Sequence, residues 1–360
     1  MTNIFVFGFL CLVISALLFK KRNNIILFAW SLICTIFIME LAALGIEYLT
    51  PKNNITYIDS PAYKLRDPEL RYWQKPDMIS DESKLLDGKM IFKDVRYTFD
   101  QKGRRVSLAD KGTPSKHALF FGGSFTFGSG VPDSQTLPSY FQQLSDHKYK
   151  AYNYGACGFG PGEMFIQLGR DNFFEDINLP TGIAVYSFIS DHLRRSTPYQ
   201  INYFAERPRD NTPIFFSDDS HKRLLGPVKY SDINKLRIIV DMYQRISTRS
   251  PLFRFIAKRV PLRYTSQEQA TITTAKIIIE SKNRYIKRFN GDFYVLFWPR
   301  MISMKMNNKK ILIDLLKKEN IHVIEVPPMT DTNDSTIHPA DDHPSPKEYR
   351  WVAECLNTLL

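Results

Sequence analysis

Ala118-Leu-Phe-Phe-Gly122-Gly123-Ser124-Phe125-Thr126-Phe127-Gly128-Ser129-Gly130-Val131 changes character at its midpoint. Ala118–Phe121 is a short apolar run of strand type, and the Gly pair after it marks a turn. A helix is expected to begin at or soon after Ser124. A strand-to-helix turn leaves a serine hydroxyl accessible beside backbone N–H groups that can hold an oxyanion. The segment is not a G-x-S-x-G elbow, because Thr126 fills the last position. The bland alternative is a Gly-Ser turn with no chemistry.

Working outward, Ile183–Phe188, Asp292–Trp298 and Ile321–Val326 read as further buried strands. A helical pattern over Lys309–Lys318 separates the last two, which makes a βαβ unit. The fold class is therefore α/β, a parallel sheet with helices on both faces. Its ligand site is expected at the carboxyl ends of the strands. Ser231–Ser247, Arg249–Arg263 and Thr271–Arg288 read as helices of an insertion over about 196–290. The first would carry Ile233, Leu236, Ile239 and Met242 on one face. Asn211–Asp219 reads as loop, and Pro346–Leu360 as a closing helix.

Three more blocks carry chemistry. Tyr152-Asn-Tyr-Gly155-Ala-Cys-Gly158-Phe-Gly160 is a glycine-rich turn. It does not fit the dinucleotide fingerprint G-x-G-x-x-G, and no suitable acidic residue follows in a clear βαβ unit. Ile189-Ser190-Asp191-His192-Leu193-Arg194-Arg195 follows a strand and is dense in polar groups. Near the C-terminus stands His338-Pro-Ala-Asp341-Asp342-His343-Pro344-Ser345. A serine nucleophile needs a base within hydrogen-bond reach, and the base needs a carboxylate to hold its tautomer. The same four His and Asp residues have the density of a metal site, the competing reading.

Taken in order, these blocks resemble the signatures of the SGNH (GDSL-like) hydrolases. Gly122–Gly128 resembles GDSxTxG, with Ser124 at the nucleophile and Gly123 where the family has Asp. Asn153-Tyr-Gly155 resembles the N-x-G turn, which makes the Gly155 N–H an implied oxyanion donor beside that of Ser124. The third block lacks the family's Asn. An ionised Asp191 cannot donate a hydrogen bond, so Ser190 or His192 is left as the third donor. Removal of one such donor costs about 2.7–4 kcal/mol. The rival for this block is a structural charge cluster of Asp191, His192 and Arg194. Asp341-x-His343 matches the family's D-x-H, giving Asp341 as orienting carboxylate and His343 as base. Asp342 and His338 are the less suited alternatives. The resemblance covers residues 115–360 and implies an SGNH-like, flavodoxin-like sheet with neither metal nor cofactor.

The N-terminus is of another kind. Ile4–Phe19 is apolar, Lys20-Lys-Arg22 follows, and a second apolar run extends from Ile25 to Ile46, broken by Glu40. A span needs roughly 20 apolar residues. Because the charges follow the first run, it does not read as a signal peptide. The positive-inside rule puts the basic loop in the cytoplasm and both ends outside. The expected domains are 1–50, a transmembrane helical hairpin; 51–112, a linker and β-hairpin lobe; and 113–360, the hydrolase-like domain. Lys89–Phe99 is the clearest strand of the lobe. The expected location is the inner (cytoplasmic) membrane with the catalytic part facing the periplasm or outside.

The formal net charge is +11, but the charges are dispersed and no nucleic-acid motif accompanies them. Cys157 and Cys355 leave two readings open, a disulfide or two small buried thiols. The resemblance and the location imply a serine esterase that removes O-acyl groups, O-acetyl above all, from a surface or exported polysaccharide. Three alternatives stand beside it. They are an O-acyltransferase working with a multi-span partner, a lipid esterase or thioesterase with a long apolar pocket, and an inactive glycan-binding scaffold.

Overall fold

The computed structural model describes residues 24–50, 54–58, 63–107, 113–206, 212–218, 223–299, 304–330 and 334–360. The elements in chain order are α1 (Asn24–Leu49), β1 (Ile55–Ile58), β2 (Lys64–Asp67), β3 (Arg71–Gln74), β4 (Ile79–Leu86), β5 (Lys89–Thr98) and β6 (Lys116–Phe121). Then come α2 (Ser124–Phe127), α3 (Leu137–Leu144), β7 (Tyr149–Asn153), α4 (Pro161–Leu168), β8 (Thr181–Phe188), α5 (His192–Ser196) and α6 (Ile201–Ala205). β9 (Ile214–Ser217), β10 (Leu224–Val228), α7 (Asn234–Arg249), α8 (Pro251–Arg259) and α9 (Gln267–Arg288) make up the insertion. β11 (Asn290–Phe297), α10 (Met306–Lys318), β12 (His322–Glu325), β13 (Thr336–His338), β14 (Asp341–Pro344) and α11 (Pro346–Asn357) complete the chain.

The chain divides into two compact units, residues 1–52 with 239–262, and the remainder. In the first, Phe28–Leu49 of α1, 22 residues, is long and apolar enough to cross a membrane, with a mean hydropathy of 2.0 over an 18-residue stretch. Phe28, Leu32 and Ile38 leave more than half of their surface uncovered. A helix that is apolar all round and uncovered is one suited to lipid. Glu40, the one charge in its middle, accepts hydrogen bonds from Ser250 Oγ and from Leu252 N (2.9 Å), so it caps the start of α8. The expected first span, Ile4–Phe19, and the basic loop after it lie outside the described residues.

The second unit holds a five-stranded parallel sheet in the order β7-β6-β8-β11-β12. This is the 2-1-3-4-5 order of flavodoxin-like folds, whose switch point lies between the first and third strands, here β6 and β8. The strands are buried on both faces, and alternate residues divide between two cores. Leu119, Phe121, Ala184, Tyr186 and Val295 pack under α4, α9 and α10 through Met164, Ala270 and Leu312. Ala118, Phe120, Ile183, Val185 and Leu296 pack under α3 and α11 through Phe141, Val352 and Leu356. The fold is α/β with helices on both faces.

The amino-terminal part of this unit is larger than one hairpin. β1, β4 and β5 form an antiparallel sheet, and β2 and β3 pair separately. Two expectations from the middle of the chain are corrected. Asn211–Asp219 is not all loop. Ile214–Ser217 pairs with β10, and the apolar run Ile-Phe-Phe gives the reason, since Ile214 and Phe215 are fully buried. On α7 the buried positions are Leu236, Val240 and Tyr243, whereas Ile239 and Met242 are exposed. The i, i+4, i+7 stripe runs one position away from the one read from spacing.

Candidate active site

β6 ends at Phe121 in the middle of the sheet, and the chain turns through Gly122 and Gly123 into α2. Gly122 has φ +149°, and a Cβ there would lie 2.4 Å from Thr126 Oγ1. The turn therefore closes tightly only with glycine. Thr126 and Phe127 donate their N–H groups to Gly123 O, which starts α2 with Ser124 as its first residue. The Ser124 N–H lies ahead of the first intrahelical bond, the position in which helix N–H groups remain available.

The imidazole that meets Ser124 comes from the opposite end of the chain. β13 and β14 form a two-stranded ladder that ends against α11, and His343 lies on β14. His343 Nε2 is 2.9 Å from Ser124 Oγ. His343 Nδ1 is 2.6 Å from Asp341 Oδ1, and the same oxygen accepts the His343 backbone N–H at 3.1 Å. With Nδ1–H held by the carboxylate, Nε2 carries the lone pair that faces the serine hydroxyl. Ser124 and Asp341 are buried and His343 is half-buried. The Phe125 ring lies 5.6 Å from the imidazole and 5.1 Å from Trp298, a wall that restricts the ring of His343.

Asp341 is held strongly acidic. Burial alone would raise its carboxyl, but the hydrogen bond and charge of His343, the Lys84 ammonium and the His343 N–H outweigh it. The result is a carboxylate well below the usual range. The neighbouring polar residues stand apart from the serine. Asp342 is exposed, and His338 Nδ1 accepts the Ala340 N–H at 3.0 Å within its own turn.

The two other blocks are placed as follows. Gly155 is a correction: its N–H donates to Asn153 Oδ1 at 3.0 Å and so is not open to a substrate. Asn153 Nδ2 in turn donates to Thr126 O at 3.0 Å. A Cβ on Gly155 would lie 2.5 Å from Phe127 N and 2.7 Å from Thr126 Cβ. Glycine is needed there because α2 packs directly on the turn. Asp191 is paired with Arg194 at 2.6 Å. His192 separates from that pair and points inward, almost fully buried.

The His192 ring is oriented by its own strand. Tyr186 Oη is 2.6 Å from Nδ1, and the Ile189 N–H approaches the same nitrogen at 3.5 Å. Nδ1 is thus the acceptor and Nε2 carries the proton. Burial, and after it the Arg195 charge, push the imidazole well below its ordinary value, which keeps it neutral. Nε2 has no partner among the described residues and lies 3.4 Å from where a Gly123 Cβ would be. Arg195 Nη1, which donates to Phe159 O at 2.9 Å, lies 2.7 Å from that same point. A guanidinium therefore stands where the GDSxTxG pattern has a carboxylate.

Sequence reasoning missed the groups that support this turn. Arg105, fully buried, donates through Nη1 to the carbonyls of Phe127 (2.8 Å) and Gly128 (2.5 Å), through Nη2 to Val131 O (2.5 Å), and through Nε to Asp133 (2.8 Å). It satisfies the orphan carbonyls at the end of α2. Nothing in its surroundings in sequence marks it. Cys34, Cys157 and Cys355 are free thiols.

No family profile matches the chain, and no curated protein does. Solved structures show likeness. A member of the lipolytic G-D-S-L family from Veillonella parvula is 12% identical with a TM-score of 0.39, covering 68% of this chain and 98% of its own. A carbohydrate acetylesterase family member from Sinorhizobium meliloti is 11% identical with a TM-score of 0.36, covering 68% and 96%. An acetylxylan esterase from Geobacillus stearothermophilus is 11% identical with a TM-score of 0.35, covering 68% and 94%. Likeness of this degree carries nothing about activity, which is read from the chain's own site.

Proposed function

We propose that this chain is a membrane-anchored serine esterase, with Ser124 as nucleophile, His343 as general base and Asp341 as the carboxylate that orients it. The observation that carries the reading is the continuous chain of contacts from Ser124 Oγ to His343 Nε2 (2.9 Å) and from His343 Nδ1 to Asp341 Oδ1 (2.6 Å). Ser124 Oγ attacks the ester carbonyl as its proton passes to His343 Nε2. The tetrahedral intermediate expels the alcohol, which takes that proton, and leaves an acyl-Ser124. Water, deprotonated by His343, releases the acid.

The Ser124 N–H and His192 Nε2–H are the proposed oxyanion donors. His192 takes the part that an Asn amide plays in the resembling pattern: a neutral, buried N–H with no partner among the described residues, directed at the turn that bears the nucleophile.

The proposed substrate is a short acyl ester, O-acetyl first, on a surface or exported polysaccharide. A polar cleft of about 290 Å³ at the end of β8, lined by Ser190, Arg194, Tyr199 and Arg263 among others, adjoins the His192 segment, but neither Ser124 nor His343 lines it, so the choice of a glycan rests on the resemblance. The apolar, uncovered surface of α1 supports anchoring in a membrane, and the basic run Lys20–Arg22 ahead of it is the ground for placing the hydrolase-like part outside the cytoplasm.

The test uses the full chain in detergent with p-nitrophenyl acetate, beside Ser124→Ala. Turnover that disappears in the variant is the expected result. Equal rates would remove Ser124 from the chemistry and leave a binding role for the domain. Acetate release from an O-acetylated polysaccharide, against hydrolysis of a long-chain ester, then decides the substrate class.

A further inference from the structure

β4 is built in a way that burial energetics would not choose for itself. Ser80, Glu82, Ser83 and Lys84 are its buried residues, while Ile79 is exposed. Lysine is almost never buried without a partner, because an unpaired ammonium in the interior is costly. The Lys84 partner lies 257 residues away. Its Nζ is 2.6 Å from Asp341 Oδ2, with both side chains at least nine-tenths covered.

The two oxygens of Asp341 are therefore divided. Oδ1 serves His343, and Oδ2 takes the ammonium from the amino-terminal lobe. A carboxylate held on both oxygens cannot rotate away from the imidazole. The groups facing it are few. β1 contributes Tyr57, whose ring centre is 5.6 Å from Lys84 Nζ. β4 also carries Glu82, which accepts the Tyr97 hydroxyl of β5 at 3.2 Å. Cys157 adds a half-buried thiol, Ser124 lies beyond His343, and Asp342 points to solvent.

We propose that Lys84 is a positioning residue of the hydrolytic site, fixing the Asp341 carboxylate in line with the His343 imidazole. The inference rests on the Ser124–His343–Asp341 reading above. It makes the lobe of β1 to β5 part of the active site and not a spacer between membrane and enzyme.

The test needs no natural substrate. A fluorophosphonate probe labels an activated serine, at a rate that depends on how well the base is held against it. The full chain in detergent is compared with Lys84→Gln, Lys84→Met and Lys84→Arg, with a thermal melt of each. Gln keeps a hydrogen-bond donor without the charge, and it carries the test if Met fails to fold. The labelling rate should fall about tenfold in Met, where the carboxylate loses its second anchor, fall less in Gln, and return to near the wild-type rate in Arg. Wild-type labelling rates in Gln and in a folded Met variant would overturn the inference while leaving the triad intact. A wild-type chain that is never labelled at Ser124 would overturn the triad itself.

Discussion

Tyr186 Oη and His192 Nδ1 lie 2.6 Å apart in the interior, and with the Ile189 N–H directed at the same nitrogen they leave Nε2 of His192 as the N–H that faces the turn carrying Ser124. Tyr186 is on β8 and fully buried; His192 opens the helix that follows. Strand and helix together hold one N–H in place without a charge.

His192→Ala should lower kcat on p-nitrophenyl acetate about 100- to 1,000-fold with little change in KM, since the donor acts on the developing oxyanion. Tyr186→Phe should keep the fold and lower kcat about tenfold by freeing the tautomer. Wild-type kcat in His192→Ala would return the third donor to an open question.

Acid should unfold the second unit in two stages. His192 and His117 both lie below the ordinary histidine value, each chiefly through burial. The unfolded chain therefore binds protons that the folded chain refuses. Stability is complete above about pH 6.5 and falls below it by about 1.4 kcal/mol per pH unit for each histidine. Asp341 is depressed, so its contribution is present above the ordinary carboxylate value of about 3.9 and is lost as pH falls below that. Urea midpoints from pH 8 to 4 should show the first stage, and His117→Gln should flatten it. A flat wild-type profile from pH 7 to 5 would contradict the buried, neutral state of both histidines.

Gly155→Ala places a methyl group 2.5–2.8 Å from the backbone of Phe127 and Thr126. The atoms that must yield belong to α2 and not to a flexible side-chain end. The expected outcome is a loss of about 1–3 kcal/mol in stability and about a 100-fold loss of kcat, as Ser124 is carried off its line to His343. Denaturant midpoints and turnover measured together check both.

Arg105→Leu leaves the carbonyls of Phe127, Gly128 and Val131 without their donor and Asp133 without its cation. The expected cost is about 3–5 kcal/mol, that of breaking a buried ionic network from one side. A midpoint shift worth less than about 1 kcal/mol would mean that water replaces the guanidinium.

Much of this was legible in the chain. Apolar runs of strand length separated by helical patterns gave the parallel α/β sheet, because burial on both faces leaves no polar alternation to confuse the period. Ser124, Asp341 and His343 were picked out by the resemblance of short local blocks, and these are side chains that meet in the structure. The stripe on α7 and the strand Ile214–Ser217 were misread because burial by neighbours distant in sequence, and not spacing, decides which apolar residue is covered.

Tertiary structure alone decided the rest, and for one physical reason. An interaction between residues far apart in sequence leaves no local pattern. Lys84 meets Asp341 across 257 positions. Whether Gly155 or His192 offers a free N–H depends on where Asn153 and Tyr186 spend their own hydrogen bonds. The chain by itself determined which residues have the chemistry for the site; packing determined which of their protons point into it.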